Sequence, residues 1–155
     1  MDKNGMKWSN MERKYSFKGK FSFKIDSKCR IIIPSKMRKQ LDTKKFTLIP
    51  SYKNHLILFP DRSFENFENR IRQSLSEEEK KIVIGYIYSN AEDIHSDSQG
   101  RIILPSQLLE HASINDEILI VGAMDRIELW NPSEFNSYMK DIVKEHAQTL
   151  KSIGL

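Results

Sequence analysis

Two arginines each stand four residues after an aspartate, in two copies of one phrase. Asp26-Ser-Lys-Cys-Arg30-Ile-Ile-Ile-Pro34 returns 71 positions later as Asp97-Ser-Gln-Gly-Arg101-Ile-Ile-Leu-Pro105, and a serine follows each copy. A guanidinium held on a short turn suits anionic partners. It neutralises phosphates, and it can bond a guanine edge bidentately, which lysine does less specifically. The competing reading is that Asp and Arg merely pair across the turn. Lys28, Lys36, Arg38 and Lys39 surround the first copy, with Lys24 nearby, so the cations that could grip a duplex cluster there. The second copy keeps Arg101, flanked by Gln99, Gln107, Asp93 and Asp97.

Other chemistries fit less well. His55, His95, His111 and His146 are scattered, without the spacing of a metal site. Glu92-Asp93-Ile-His95-Ser-Asp97 gathers titratable groups, but it reads better as the polar lead-in to a turn than as an acid–base pair. Cys29 lies between two cations, the setting that lowers a thiol pKa, yet no histidine is close in sequence to act as its base. A small turn residue is the simpler role. No glycine-rich phosphate loop is present. The expectation is a protein that is not an enzyme and needs no metal or cofactor.

The elements that must position the arginines follow from local rules. An Asp-headed polar segment before an isoleucine run reads as a turn feeding a strand, and Gly100 supplies a left-handed position at low cost. Ile31-Ile32-Ile33, apolar on both faces, predicts a strand buried on two sides or inside a small barrel. Pro34 and Pro105 end these strands and can open short helices, the first spanning Ser35–Leu41. The register of 71 persists: Leu48-Ile49 falls on Leu119-Ile120, Leu58-Phe59 on Leu129-Trp130, Phe64 on Phe135 and Phe67 on Tyr138. The chain is an internal duplication, and each half reads β-β-α-β-β before a longer helix. Before the first turn, Tyr15, Phe17, Phe21, Phe23 and Ile25 alternate with Lys18, Lys20 and Lys24, a strand with one buried face. Ser76 with Glu79 predicts a capping box, and Asn131-Pro132 predicts an N-cap. The division expected is an arm over 1–16, a first repeat over 17–75, a linking helix over 76–90 and a second repeat over 91–155.

Charge sharpens the picture. Residues 1–75 carry 18 Lys and Arg against 7 Asp and Glu, whereas residues 76–155 carry 7 against 14. An anionic partner meeting the first half is one reading, and attraction between halves or subunits is another. The apolar stretches are too short to span a membrane, the N-terminus lacks the apolar core of a secretory signal, and one cysteine suits a reducing compartment.

The doubled Asp-x-x-x-Arg with its aliphatic run and Pro resembles the MraZ proteins, bacterial transcription regulators of the AbrB/SpoVT superfamily. Phe17-Lys-Gly-Lys-Phe21, the length and the helix between the halves agree. The resemblance implies an α+β fold in which the two units form a swapped-hairpin AbrB-like β-barrel, an intramolecular pseudo-dimer with flanking helices. It also implies a ring-shaped homo-oligomer, octamer or dodecamer, in the cytoplasm at the nucleoid. Such a ring would bind tandem DNA repeats upstream of the division and cell-wall gene cluster, as a repressor. Asp26, Lys28, Arg30, Lys36, Arg38, Lys24, Asp97 and Arg101 are the DNA-binding candidates, Arg30 leading and Arg101 supporting. Two residues depart from the family: Cys29 replaces a glycine, and Leu109 stands where an arginine is usual, its first-half counterpart being Arg38. The rival class is an AbrB-fold protein-interaction module, antitoxin-like or a ring scaffold, without specific DNA readout.

Overall fold

The computed structural model describes residues 14–155. The arm expected over residues 1–16 lies outside them except at its end, where Tyr15 is only 8% exposed. Its hydroxyl donates to Asp42 Oδ1, it stacks on Phe17, and the Arg62 guanidinium lies 4.1 Å from its ring centre.

The fold is mixed α and β, with antiparallel strands throughout. Six strands form one sheet in the order β1-β7-β8-β4-β3-β5: β1 (Lys20–Lys24), β3 (Lys45–Pro50), β4 (Leu56–Pro60), β5 (Glu92–His95), β7 (Glu117–Ala123) and β8 (Arg126–Trp130). Two short strands, β2 (Arg30–Ile32) and β6 (Arg101–Ile103), pair only with each other as a separate ribbon. The helices are α1 (Ser35–Arg38), α2 (Asp61–Ser74), α3 (Glu77–Tyr86), α4 (Ser106–His111), α5 (Pro132–Glu145) and α6 (Ala147–Ser152). Among the described residues, no helix is long and apolar enough to cross a membrane.

Each repeat sends its first strand to the other. β1 pairs with β7, and β5 pairs with β3, so the alternation read in the sequence is buried on the partner repeat's strand. Phe21 and Phe23 lie opposite Ile120 and Ile118, while Lys20, Ser22 and Lys24 stay exposed. Gly19, at φ 95°, bends this segment and lets Phe17 continue the pairing onto Met124. Two central pairs, Ile31 with Ile102 and Ile57 with Glu128, join residues one repeat apart, which marks a pseudo-twofold axis through the ribbon and the sheet.

The repeat register slips by one in β3 and β7. Phe46 and Leu48 occupy the places of Ile118 and Ile120, where an offset of 71 would put Thr47 on Ile118 and Leu48 on Leu119, because the span from the start of α4 to β7 is one residue longer than that from the start of α1 to β3. Leu48 on Leu119 is therefore an alignment of letters and not of positions. Side chains alternate faces along a strand, so only this slip puts apolar residues inward in both copies. α1 is also shorter than expected and stops at Arg38. Gln40 beyond it is turned toward Ser16, whose backbone N–H it accepts at 2.7 Å and whose carbonyl it donates to at 3.1 Å.

The ribbon departs from the expectation of a strand buried on both sides. Ile31 and Ile33 are buried at 3% and 2%, but Ile32 is 44% exposed and its counterpart Ile103 is 61% exposed. Two paired strands form a ribbon of their own, and among the described residues its second face is left open to solvent at Ile32 and Ile103.

Aromatic trios fasten the long helices. Phe59 meets Phe64 and Phe67 of α2 at 5.5 and 5.1 Å between ring centres; Trp130 meets Phe135 and Tyr138 of α5 at 5.3 and 5.0 Å. Such pairs add about 0.5–1.5 kcal/mol each beyond the area they bury. The predicted caps are present. Ser76 and Glu79 bond reciprocally, and Asn131 accepts from the N–H groups of Ser133 and Glu134 ahead of Pro132.

His55 was not singled out by the sequence, yet it is the most enclosed histidine. It is 5% exposed, lies parallel to Trp130 at 4.0 Å, and stands 3.7 Å from Glu128 Oε1, which also accepts from Trp130 Nε1. Burial, the largest influence, pushes its pKa below the ordinary 6.5, while Glu128 opposes the shift. The native state therefore prefers the neutral ring. That preference stabilises the fold fully above pH 6.5 and is lost as pH falls toward the lower folded pKa. Thermal unfolding followed from about pH 7.5 to about pH 5.5 should show Tm falling with acid. His55→Phe, which keeps a ring on Trp130, should flatten that slope.

Candidate nucleic-acid interface

The two Asp-x-x-x-Arg turns have one geometry. Asp26 Oδ1 accepts the backbone N–H groups of Lys28 (2.9 Å) and Arg30 (2.8 Å), and Oδ2 accepts Arg30 Nε at 2.7 Å. Asp97 Oδ1 accepts from the N–H groups of Gln99 and Arg101, both 2.9 Å, and Oδ2 from Arg101 Nε at 2.7 Å. One carboxylate thus closes the turn and holds the base of the guanidinium. The side-chain bond uses Nε, so the two terminal amino groups lie outside it and keep their donors for another partner. The aspartates are turn-formers and arginine-holders in this geometry.

The same bonds lower the pKa of both carboxylates. The Arg101 N–H above all, with its guanidinium second, holds Asp97 at about 2. Asp26 is shifted the same way, with the Arg30 N–H as the largest cause. The contribution of the Asp97 turn is complete above the ordinary 3.8 and is lost as pH falls through about 2.

The pseudo-axis puts both turns on one ribbon. Arg30 opens β2 and lies opposite Ile103, and Arg101 opens β6 and lies opposite Ile32. A shallow concavity of about 280 Å³ has Lys24, Asp26, Arg30, Ile32 and Arg101 in its wall. Four of the eight sequence candidates thus share one hollow. Lys28 sits on the first turn itself, whereas Lys36 lines a separate hollow with Lys18 and Gln40.

Arg38 is not where its place in the chain suggests. Its Nη1 donates to the carbonyl of Gln99 at 3.2 Å, so it belongs to the second turn although it comes from the first repeat. Gly100, at φ 80°, makes room for it: a Cβ there would stand 2.3 Å from Arg38 Cδ. Position 109 is the counterpart of 38, and position 29 that of 100. There the pair is Leu109 and Cys29: Leu109 is 7% exposed in the core, and Cys29, at φ 58°, packs against that core. The two departures noted in the sequence are therefore one exchange, an arginine over a glycine replaced by a leucine beside a cysteine. Lys28 and Arg30 supply the cations of the first turn, Arg38 and Arg101 those of the second. The signal was present in the sequence as two mismatches between the repeats, but only the cross-repeat pairing connects them.

Gly100→Cys should destabilise the protein by about 1–3 kcal/mol, through left-handed strain and collision with Arg38. Adding Arg38→Leu should recover part of that loss, which a double-mutant cycle by chemical denaturation measures. Titration of the side-chain carboxyl carbons by NMR should place Asp97 near 2 and Asp26 below 3.8. In Arg101→Ala the Asp97 midpoint should rise yet stay below 3.8, because the backbone N–H survives.

Comparison with known proteins matches the duplication. The family model described as MraZ protein, antitoxin-like, fits the chain twice, over residues 16–83 and 87–152. A protein of Lachnoclostridium phytofermentans named transcriptional regulator MraZ is 30% identical over 139 residues, covering 90% of this chain and 98% of the relative. The protein of the same name from Clostridium acetobutylicum is 32% identical over 142 residues, covering 90% and 99%. That of Clostridium tetani is 32% identical over 123 residues, covering 79% and 86%. The two matched segments and the near-complete coverage lead to one conclusion: the chain belongs to the MraZ family.

Proposed function

We propose that this protein is a DNA-binding transcriptional regulator that grips duplex DNA through its two arginine turns. The observation that carries the reading is the placement of Arg30 and Arg101 on one ribbon, each tied by Nε to its own aspartate. A two-stranded ribbon is narrow enough for the major groove, where arginine bonds guanine. Lys24, Lys28 and Arg38 around it would neutralise phosphates and release counterions. The names of the relatives support the regulatory role.

In this reading the reciprocal pairing of β1 with β7 and β5 with β3 is a swapped-hairpin barrel of the AbrB type, an intramolecular pseudo-dimer. The protein assembles into a ring of eight or twelve copies that sits on tandem repeats upstream of the division and cell-wall genes and represses them, in the cytoplasm at the nucleoid. Apolar side chains left exposed on the helices support self-assembly: Ile82 (67%) and Ile84 (53%) on α3, and Val143 (54%) on α5. One ribbon offers a small contact, and several ribbons on one ring raise the effective concentration for tandem sites. Regulation then needs no chemistry, because an occupied promoter excludes polymerase.

Fluorescence anisotropy with a labelled duplex from upstream of the reading frame, beside a scrambled duplex, tests this across a salt series. Binding should prefer the upstream duplex and weaken steeply with salt. Arg30→Ala and Arg101→Ala should each lose about tenfold or more in affinity while size-exclusion chromatography with light scattering shows an unchanged assembly. Equal binding to both duplexes, or variants that bind as tightly as wild type, would turn the search toward protein partners.

A further inference from the structure

The outward face of the ribbon carries two isoleucines that the arginine reading leaves unused. Ile31 and Ile102 turn inward at 3% and 1% exposure, and the residues after them, Ile32 and Ile103, stand 44% and 61% exposed. Residues directly opposite in an antiparallel pair share a face, with Cβ atoms about 4.5–5.5 Å apart. Arg30 is opposite Ile103 and Arg101 is opposite Ile32, so the face holds two Arg–Ile pairs related by the pseudo-axis. Water exposure of a branched aliphatic side chain is unfavourable, and a single exposed one needs no explanation. Here the same position is aliphatic and uncovered in both repeats, each time beside the arginine that would meet DNA.

The surroundings select the occupant. Lys24 and the two arginines line the hollow that also takes in Ile32. The carboxylates of the two turns, Asp26 and Asp97, are each already bonded to their own arginine. A second copy of this cationic ribbon would be repelled, and a polyanion attracted. On the floor of the major groove the base edges are polar, with one apolar group, the C5 methyl of thymine. An aliphatic side chain beside a guanine-bonding arginine has that methyl as its natural contact.

We infer that Ile32 and Ile103 are specificity-determining residues that pack on the C5 methyl groups of thymines next to the guanines met by Arg101 and Arg30. The inference rests on the proposed DNA-binding reading and adds thymine to what each half of the ribbon reads. Arg and Ile together would select a guanine–thymine step, which arginine alone does not.

The test replaces each thymine of the labelled upstream duplex, one at a time, by uracil, which removes the methyl and keeps the base pair. For the wild-type full-length protein, uracil at one or more positions should weaken binding about fourfold, the worth of one buried methyl-sized group. Ile32→Ala or Ile103→Ala should bind the thymine duplex about fourfold more weakly and be indifferent to uracil at the matching position. Wild type that prefers its upstream duplex but ignores every uracil overturns the methyl contact and leaves the arginine reading in place. Alanine variants that keep the full uracil effect overturn it too, and a changed assembly size in them would assign the isoleucines to subunit contacts. Wild type with no preference for the upstream duplex sinks both readings together.

Discussion

The first strand of each repeat takes its ladder partner from the other repeat. β1 finds its hydrogen-bonding partner in β7, and β5 finds its partner in β3. A strand whose N–H and carbonyl groups lose their ladder partners without regaining water loses about 1–3 kcal/mol per group, and here the other repeat supplies those partners. The pairing across the repeats is therefore obligatory, and the halves fold as one. Everything at the candidate interface inherits this constraint. The chain after β1 must cross to β2, the chain after β5 must cross to β6, and these two meet each other at the axis. Two turns that are 71 residues apart in sequence thus flank one ribbon.

Each turn is built from one side chain. The aspartate satisfies two backbone N–H groups and a guanidinium with its two oxygens, which is why its acidity is raised so far in Asp97. What differs between the copies is the support behind the turn. A glycine leaves the space through which Arg38 crosses, while in the other copy Leu109 sits in the core and Cys29 packs against that core. A side chain at position 100 would collide with Arg38, so the residues at 38 and 100 form a matched pair. The formal excess of cations in the first half overstates the difference between the turns, because Arg38 is delivered to the second.

The helices obey a weaker constraint. Each of the two long ones is fastened by an aromatic trio; α5 leaves Val143 exposed, and α3 leaves Ile82 and Ile84 exposed. α3 has no buried residue at all, although it begins with a complete capping box. Its backbone is set locally, by the cap and not by burial of its apolar face.

Those differences in range separate what the sequence could decide from what it could not. The duplication, the turns at Asp26 and Asp97, the alternation in β1 and the caps at Ser76 and Asn131 were legible because each depends on residues within four or so positions, where hydrogen-bond geometry and side-chain direction follow from the backbone itself. The exchange of first strands between repeats, the one-residue slip of β7, the reach of Arg38 to Gln99 and the enclosure of His55 against Trp130 all join residues far apart in the chain. Letter matching placed Leu48 on Leu119, but burial placed it on Ile120, since a strand is aligned by the face it buries. The isoleucine run shows the boundary most clearly. Three aliphatic residues read as a strand buried on two sides or inside a small barrel, and whether Ile32 had a cover depended on a second layer, which the described residues do not supply.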